Sequence, residues 1–428
     1  MRILLMNRAF PPDVEATGQY VSELAEDLSA RHEVHVLCGM PNFGRVEGRA
    51  FPWRRERHGA VNVWRAWNLV LPKRLKVARM ANQASFFVLA HAVAGRIPRP
   101  DVVVSYTDPP FLGLLALRLK RRRGIPFVYY CQDLYPDVLE AIDMAPPVLT
   151  QGFRWVQRRL LAGSDLIIAL GEDMKERIRS KGVPESKIEV VRNWVDTDAI
   201  YPIPRDRNPF RKEHDLDGRF VVMYSGNFGH VWDLDTVLDA AAMLRDRKDI
   251  VFVLIGDGST RPRIERRVRD EALTNVRLLP YQPKERLSES LSAADLHVVP
   301  IRPGVCGTVV PSKIYAILAS GVPMVVLAEE ASEPIRVVEE WRCGWSAVAG
   351  DASTLCRSLL AARRDGGETR ARGERGRRAA VDHHGRLHQF DRFGTVLRGL
   401  AGPSAAGQQP DGLSERPLAL LRQASRRG

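Results

Sequence analysis

Short runs of β-branched and aliphatic residues alternate along the chain with longer stretches whose apolar positions recur at three- and four-residue spacing, the pattern of parallel sheets wrapped by helices. In the first half this pattern predicts strands over Arg2–Met6, Glu33–Cys38, Val61–Trp67, Asp101–Tyr106, Phe127–Cys131, Asp165–Leu170 and Ile188–Val191. Helical spacing fills Gly18–Ala30, Leu149–Ala162 and Asp173–Lys181. Pro202, Pro204 and Pro209 break the periodicity of Asn193–Arg211, which reads as a linker. A second series then starts afresh: strand Phe220–Ser225, helix Leu234–Leu244, strand Val251–Ile255, helix Thr260–Glu271 and strand Val276–Leu279. It continues through helix Lys284–Ala293, strand Asp295–Val299, a helix after Pro311 and strand Met324–Leu327.

Two α/β domains in tandem with a cleft between them is the simplest architecture, the first over residues 1–200 and the second over 201–380. Open parallel sheets bind ligands at the carboxyl ends of their strands, so each domain turns its loops to the cleft. Leu387, Phe390, Phe393 and Leu397 fall at helical spacing, which predicts one more helix within 381–401 packing back on the body. Residues 402–428, rich in Pro, Ser, Gln and Gly, read as a disordered tail.

Composition narrows this picture little: 428 residues, 45% apolar and 27% charged, describe a globular protein with room for two cores. No apolar run reaches the roughly 18 residues a membrane span needs, and Pro11, Pro12 and Asp13 interrupt the first apolar stretch too early for a signal peptide. A cytoplasmic location is the expectation. The five cysteines, 38, 131, 306, 343 and 356, lack metal-ligand spacing and are expected to be reduced and buried. The net charge of +13 attracts nucleic acid, phospholipid headgroups or a phosphorylated substrate, and charge alone does not choose among them. No nucleic-acid reader motif is present.

The chemistry concentrates in the second half. In Gly307–Val326 a loop of small residues runs through Pro311-Ser312-Lys313 into an apolar helical stretch. Ser312, free backbone N–H groups and the Lys313 ammonium together suit a phosphate. An ordinary loop-to-helix junction with a solvated lysine is the alternative. Two glycine turns precede it, Gly226-Asn227-Phe228-Gly229 after one strand and Gly256-Asp257-Gly258 after the next, where backbone can approach a ligand closely.

In this order the motifs resemble those of the retaining, two-domain glycosyltransferases of family 4, and among them the enzymes of bacterial surface polysaccharides similar to O-antigen fucosamine transferases. The resemblance covers about Met1 to Gly350. It is carried by Pro11-Pro12 through Gly18, Gln132-Asp133-Leu134-Tyr135-Pro136, Val191-Arg192-Asn193-Trp194-Val195-Asp196, Tyr224-Ser225-Gly226-Asn227, Gly256-Asp257-Gly258, Val310-Pro311-Ser312-Lys313 and Ala319-Ser320-Gly321-Val322-Pro323. It implies a GT-B fold, two Rossmann-like domains facing across a cleft. A nucleotide-sugar donor, UDP-linked, is then held by the second domain and a lipid-linked or polysaccharide acceptor by the first, with no metal or other cofactor. Lys313, Ser312 and the Gly226–Gly229 turn become candidates for the diphosphate, with Gly18 closing from the first domain or simply starting a helix. Asp257, Gly258 and Tyr281 fall where the family holds the donor. Glu333 is a further donor candidate, or a solvated glutamate at a helix start.

Three departures from the family pattern bear on the site. Two glutamates common in the family are replaced by Thr308 and Ala316, which leaves the ribose contact unassigned. The usual arginine and lysine after the first strand of the second domain give way to Asn227 and His230, so Lys313 carries more of the diphosphate charge. Where many members place a histidine, this chain offers Asp133, either an acceptor base or a helix N-cap, with Asp137 a second possible cap.

Lys73, Arg74, Lys76 and Arg79 precede an apolar run with Met80, Phe86, Phe87 and Val88. This suits a basic amphipathic helix lying on the inner face of an anionic membrane, or a helix packed on its own domain. Rival functions on the same architecture are a nucleotide-sugar epimerase or hydrolase and a non-catalytic subunit of a polysaccharide assembly complex.

Overall fold

The structure, a computed structural model, describes residues 1–13, 15–41, 52–71 and 76–400. The first half holds β1 (Arg2–Met6), β2 (Glu33–Gly39), β3 (Trp53–His58), β4 (Val61–Ala66), β5 (Val102–Ser105), β6 (Phe127–Tyr130), β7 (Leu166–Ala169) and β8 (Ile188–Val190). Its helices are α1 (Ala16–Ser29), α2 (Lys76–Ala94), α3 (Gly113–Arg123), α4 (Asp137–Ala141), α5 (Pro147–Gly163) and α6 (Glu172–Arg179). They wrap one sheet of order β3-β4-β2-β1-β5-β6-β7-β8, parallel except for β3, which runs antiparallel to β4. The sequence pattern missed β3: its WRRERH has no alternating apolar face, because it is an edge strand whose charges also discourage pairing with another chain.

The second half holds β9 (Phe220–Ser225), β10 (Ile250–Ile255), β11 (Val276–Leu279), β12 (Leu296–Pro300), β13 (Met324–Ala328) and β14 (Gly344–Val348) in a wholly parallel sheet of order β11-β10-β9-β12-β13-β14. Strands such as β10, IVFVLI, are buried along their whole length, which explains their continuous apolar runs. The helices here are α7 (Pro209–Glu213), α8 (Leu234–Met243), α9 (Arg261–Asp270), α10 (Leu287–Ser292), α11 (Lys313–Ala319), α12 (Glu333–Trp341), α13 (Ala352–Arg364) and α14 (Gly366–Asp382).

A last helix, α15 (Arg386–Leu400), returns to the first sheet and packs on α1. Phe390, Phe393 and Leu397 join the first core, whereas Leu387 is exposed. The start of the presumed linker is clamped between the same elements. Trp194 is buried, meets Phe390 at 4.8 Å and Tyr20 at 4.9 Å between ring centroids, and donates Nε1–H to Glu23 at 2.7 Å.

One expectation needs correcting, and α2 follows the second of its two readings. Cys306 is only partly buried, unlike the other four free thiols. In α2, Phe86 is buried and Phe87 packs edge-on against Phe111, so most of the apolar side of this helix faces its own domain, leaving Met80 and Val88 exposed. Lys73 and Arg74 lie outside the described residues; Lys76 and Arg79 sit in the first turn of α2. Among the described residues no helix is long and apolar enough to cross a membrane.

Candidate active site

The carboxyl ends of β9, β10 and β11 gather three of the expected loops. Gly226, Gly256 and Gly258 have φ of +143°, +146° and +157°, which side chains rarely adopt. Contact also requires glycine at two of them: a Cβ on Gly256 would stand 1.9 Å from the Gly226 carbonyl oxygen, and one on Gly258 2.5 Å from that of Phe228. The two turns are thereby locked together. Phe228 N–H donates to the Asp257 carbonyl at 2.9 Å, and the Tyr281 hydroxyl donates to the same carbonyl at 3.3 Å. Asn227 and Asp257 are exposed beside them, and Tyr224 fixes the turn by donating to the Asn227 carbonyl at 2.6 Å. Gly229 has no positive φ and no backbone crowding, so nothing in its geometry demands a glycine.

Lys313 points into this assembly. Its Nζ is buried, has no hydrogen-bond partner or carboxylate among the described residues, and lies 2.8 Å from where a Gly226 Cβ would stand. Two ring faces hold it, Tyr224 at 3.8 Å and Trp232 at 4.1 Å from Nζ to centroid. Burial pushes its pKa well below the usual lysine range. A buried amine without a hydrogen-bond partner or carboxylate among the described residues, set against positive-φ backbone, is suited to an anion. The helix itself starts at Lys313, with Pro311 outside it, and Ser312 makes no capping bond but meets the Tyr20 hydroxyl from α1. Tyr224 lay in a motif that carries the family resemblance but had no role there, and nothing in the sequence pattern marked Trp232, since cage aromatics have no fixed spacing to the lysine. Arg261 was missed as well; its guanidinium donates to the Gly256 and Leu279 carbonyls at the edge of the glycine turns.

Across the cleft, Asp133 follows β6. Its backbone bridges to Val309, the next N–H, of Leu134, donates to the Thr308 carbonyl at 2.8 Å, and its own N–H donates to Thr107 Oγ1 at 3.2 Å. Asp133 therefore sits where the domains meet, against the Thr308–Val309 segment of the loop that leads to Lys313. Burial, and then the neighbouring Asp108 carboxylate, push its carboxyl up to about 6. The capping alternative fails: α4 begins at Asp137, its N-cap is Pro136, and Asp133 caps nothing. Asp137 is no cap either. Its carboxylate is consumed by Arg177 at 3.0 Å, Lys181 at 2.8 Å and Gln157 at 2.7 Å, which hold it below the ordinary range against the cost of burial.

Gly18 and Glu333 are placed differently from the donor reading. Gly18 is buried in α1, and its Cβ would meet Ala9 of the same domain at 3.1 Å, so close helix-to-loop packing accounts for the glycine. Glu333 is wholly buried at the start of α12, with its carboxylate occupied by Arg192 Nε at 2.5 Å and the Glu172 N–H at 2.9 Å. Asp173 answers from α6 by accepting the N–H groups of Glu333 at 2.9 Å and Gly307 at 3.3 Å. Two helix N-termini thus exchange carboxylates across the domain boundary, and Glu333 is a clasp between domains. Glu333→Gln keeps one acceptor for Glu172 but leaves the Arg192 cation uncompensated. A loss of about 2 kcal/mol in denaturant-induced unfolding is expected.

Among the described residues no group of three or more His, Cys, Asp or Glu side chains is gathered for a metal ion. The arrangement is suited to hold a diphosphate at the second domain's strand ends while presenting a titratable carboxyl from the first.

Comparison with known proteins identifies the fold and the family. Residues 16–194 match the family described as glycosyl transferase 4-like domain, and residues 206–379 match glycosyl transferases group 1. WcaI of Escherichia coli (strain K12), assigned by name to colanic acid biosynthesis as a glycosyl transferase, is 28% identical over 78% of this chain and 84% of its own length. Among solved structures, sucrose-phosphate synthase of Thermosynechococcus elongatus superposes with a TM-score of 0.75 at 18% identity, covering 94% of this chain and 99% of that one. Anabaena HepE in complex with UDP-glucose gives 0.69 at 16% identity over 93% and 100%.

Proposed function

Since the chain belongs to the GT-B glycosyltransferases of family 4, matched along both of its domains, we propose that it is a retaining enzyme that moves a sugar from a UDP-sugar to a lipid-linked or polysaccharide acceptor during surface-polysaccharide synthesis. The observation that carries the donor assignment is Lys313, whose Nζ is caged by Tyr224 and Trp232 against the Gly226 turn with no hydrogen-bond partner among the described residues. As the bond between the anomeric carbon and the diphosphate breaks, negative charge grows on the leaving oxygen, and the Lys313 ammonium beside the Gly226 turn meets it. The acceptor hydroxyl forms the new bond in the same anomeric configuration, and Asp133 orients that hydroxyl and takes its proton. Tyr281 and the Asp257-Gly258 backbone border the nucleotide. The UDP assignment draws on the HepE complex and the polysaccharide assignment on WcaI. A lipid-linked acceptor also calls for peripheral contact with the inner face of the cytoplasmic membrane.

In this scheme a lysine and peptide groups replace the divalent cation used by many phosphate-handling enzymes, so no metal is required. Transfer is expected to persist within about twofold in excess EDTA, whereas dependence on a bound cation would cost orders of magnitude. Binding is tested by thermal unfolding with UDP and GDP. UDP should raise Tm and GDP should do so less; no shift with either would overturn the donor site.

A further inference from the structure

A nucleotide-sugar needs a partner for its ribose hydroxyls, and the two positions that lack the family's glutamates supply none. Thr308 is wholly buried with its hydroxyl donating to the Val305 carbonyl at 2.7 Å, and Ala316 ends at a methyl group. The surroundings of Lys313 decide where the ribose lies. At the exit of β12 the chain closes over the sheet: Trp232 bridges to Ile301, Asp233 N–H donates to the Pro300 carbonyl at 3.0 Å, and Arg302 N–H to that of Val231 at 3.0 Å. On the other side the order β11-β10-β9 leaves the exits of β10 and β11 open, with Asp257 and Tyr281 exposed there. A nucleotide whose diphosphate meets Lys313 at the Gly226 turn after β9 therefore runs across the turn after β10 towards the exit of β11, in steps of about 4.8 Å. The ribose falls on the middle turn, Gly256-Asp257-Gly258.

Ribose hydroxyls donate, so they call for an acceptor, and the backbone carbonyls of this turn are already occupied. That of Leu279 accepts Gly256 N–H at 3.0 Å and the Arg261 guanidinium at 3.3 Å, and that of Gly256 accepts Arg261 as well. The Asp257 carbonyl accepts Phe228 N–H and the Tyr281 hydroxyl, and the Gly258 carbonyl accepts Arg261 N–H at 3.1 Å. What remains is the Asp257 carboxylate. Its Oδ1 accepts Gly258 N–H at 2.7 Å, which fixes the side chain on the turn, and its Oδ2 accepts no hydrogen bond among the described residues. Arg261, the cation beside it, is turned instead to Glu265 at 2.7 Å. A carboxylate just beyond the strand next to the phosphate-binding turn is also where dinucleotide-binding sheets take the ribose 2′-hydroxyl.

We propose that Asp257 is the ribose contact of the donor site, its carboxylate accepting hydrogen bonds from the 2′- and 3′-hydroxyls in place of the glutamates this chain lacks. The assignment rests on the reading of Lys313 as the diphosphate partner, from which the order of diphosphate, ribose and base along the strand ends follows. It also narrows the donor class. A 2′-deoxyribose forfeits one of the two bonds to a charged acceptor, so the site selects sugars carried on ribonucleoside diphosphates over those carried on deoxyribonucleoside diphosphates. A solvated aspartate that serves only to hold Gly258 would make no such distinction.

The test is calorimetric titration of the full chain with UDP and with 2′-deoxy-UDP. The wild type should bind UDP about tenfold more tightly than its deoxy analogue. Asp257→Ala should weaken UDP binding about tenfold and bring the two ligands within about twofold of each other. Asp257→Asn, which keeps an acceptor for Gly258 N–H and so guards against a misfolded alanine variant, should fall between the wild type and Asp257→Ala in its preference. Equal binding of both nucleotides by the wild type, or a preference that persists in both variants, would overturn the proposal and leave Lys313 as the diphosphate site. If neither nucleotide binds the wild type, the donor site itself is lost and the ribose contact with it.

Discussion

Lys313→Met should lower kcat/KM by about 10²–10³ and abolish the UDP-induced rise in Tm, while the apo protein melts no lower than the wild type. The two halves of this expectation come from one observation. An ammonium buried without hydrogen bond or carboxylate costs the fold desolvation energy that two ring faces only partly return, so an apolar isostere of similar length removes a cost and keeps the contacts with Tyr224 and Trp232. Such a charge is useful only when an anion arrives. A structural lysine would behave oppositely, with stability lost and nucleotide response kept. Steady-state kinetics beside thermal unfolding, with and without UDP, separate the two; full turnover by Lys313→Met would remove the lysine from the site.

What the sequence made legible follows from how each feature is encoded. Buried parallel strands must be apolar throughout, so β1, β9 and β10 stand out as uninterrupted runs, and glycine turns announce themselves because Gly226, Gly256 and Gly258 occupy backbone that other residues avoid. Lys313 was visible through the loop-to-helix junction it ends. The β3 edge, by contrast, is stabilised by pairing with β4 and shows no apolar alternation. Contacts between residues far apart in the chain left no local trace: the Tyr224 and Trp232 cage, and the exchange of carboxylates between Asp173 and Glu333 across some 160 positions. Glu333 illustrates the limit most sharply, since a glutamate at a helix start looks the same in sequence whether it meets solvent, a sugar or an arginine from another domain. In α2 the sequence let cations and apolar residues be counted but not their burial, so it left open whether Phe86 and Phe87 face the domain or a membrane.

Asp133→Asn is expected to reduce turnover by about 10²–10⁴ with little change in UDP affinity, and at the same time to stabilise the protein. The sign of the second effect follows from the raised carboxyl. In the unfolded chain the group titrates near the ordinary aspartate value, and in the folded protein at about 6, so between those values the folded state holds the extra proton and stability falls as pH rises through that window. At neutral pH ionised Asp133 is thus a liability to the fold, and replacing it with the neutral amide should return about 1–2 kcal/mol, a gain that vanishes near pH 4. The same titration should appear in catalysis: as the base that accepts the acceptor's proton, Asp133 must be ionised, so wild-type turnover should fall below about pH 6. A residue that served packing alone would lose stability on substitution and leave the acid limb of the pH–rate profile where it was. A variant that is both hardier and slower, with that limb gone, is the outcome that assigns Asp133 to the chemistry, because only a group kept at a cost to the fold behaves in this way.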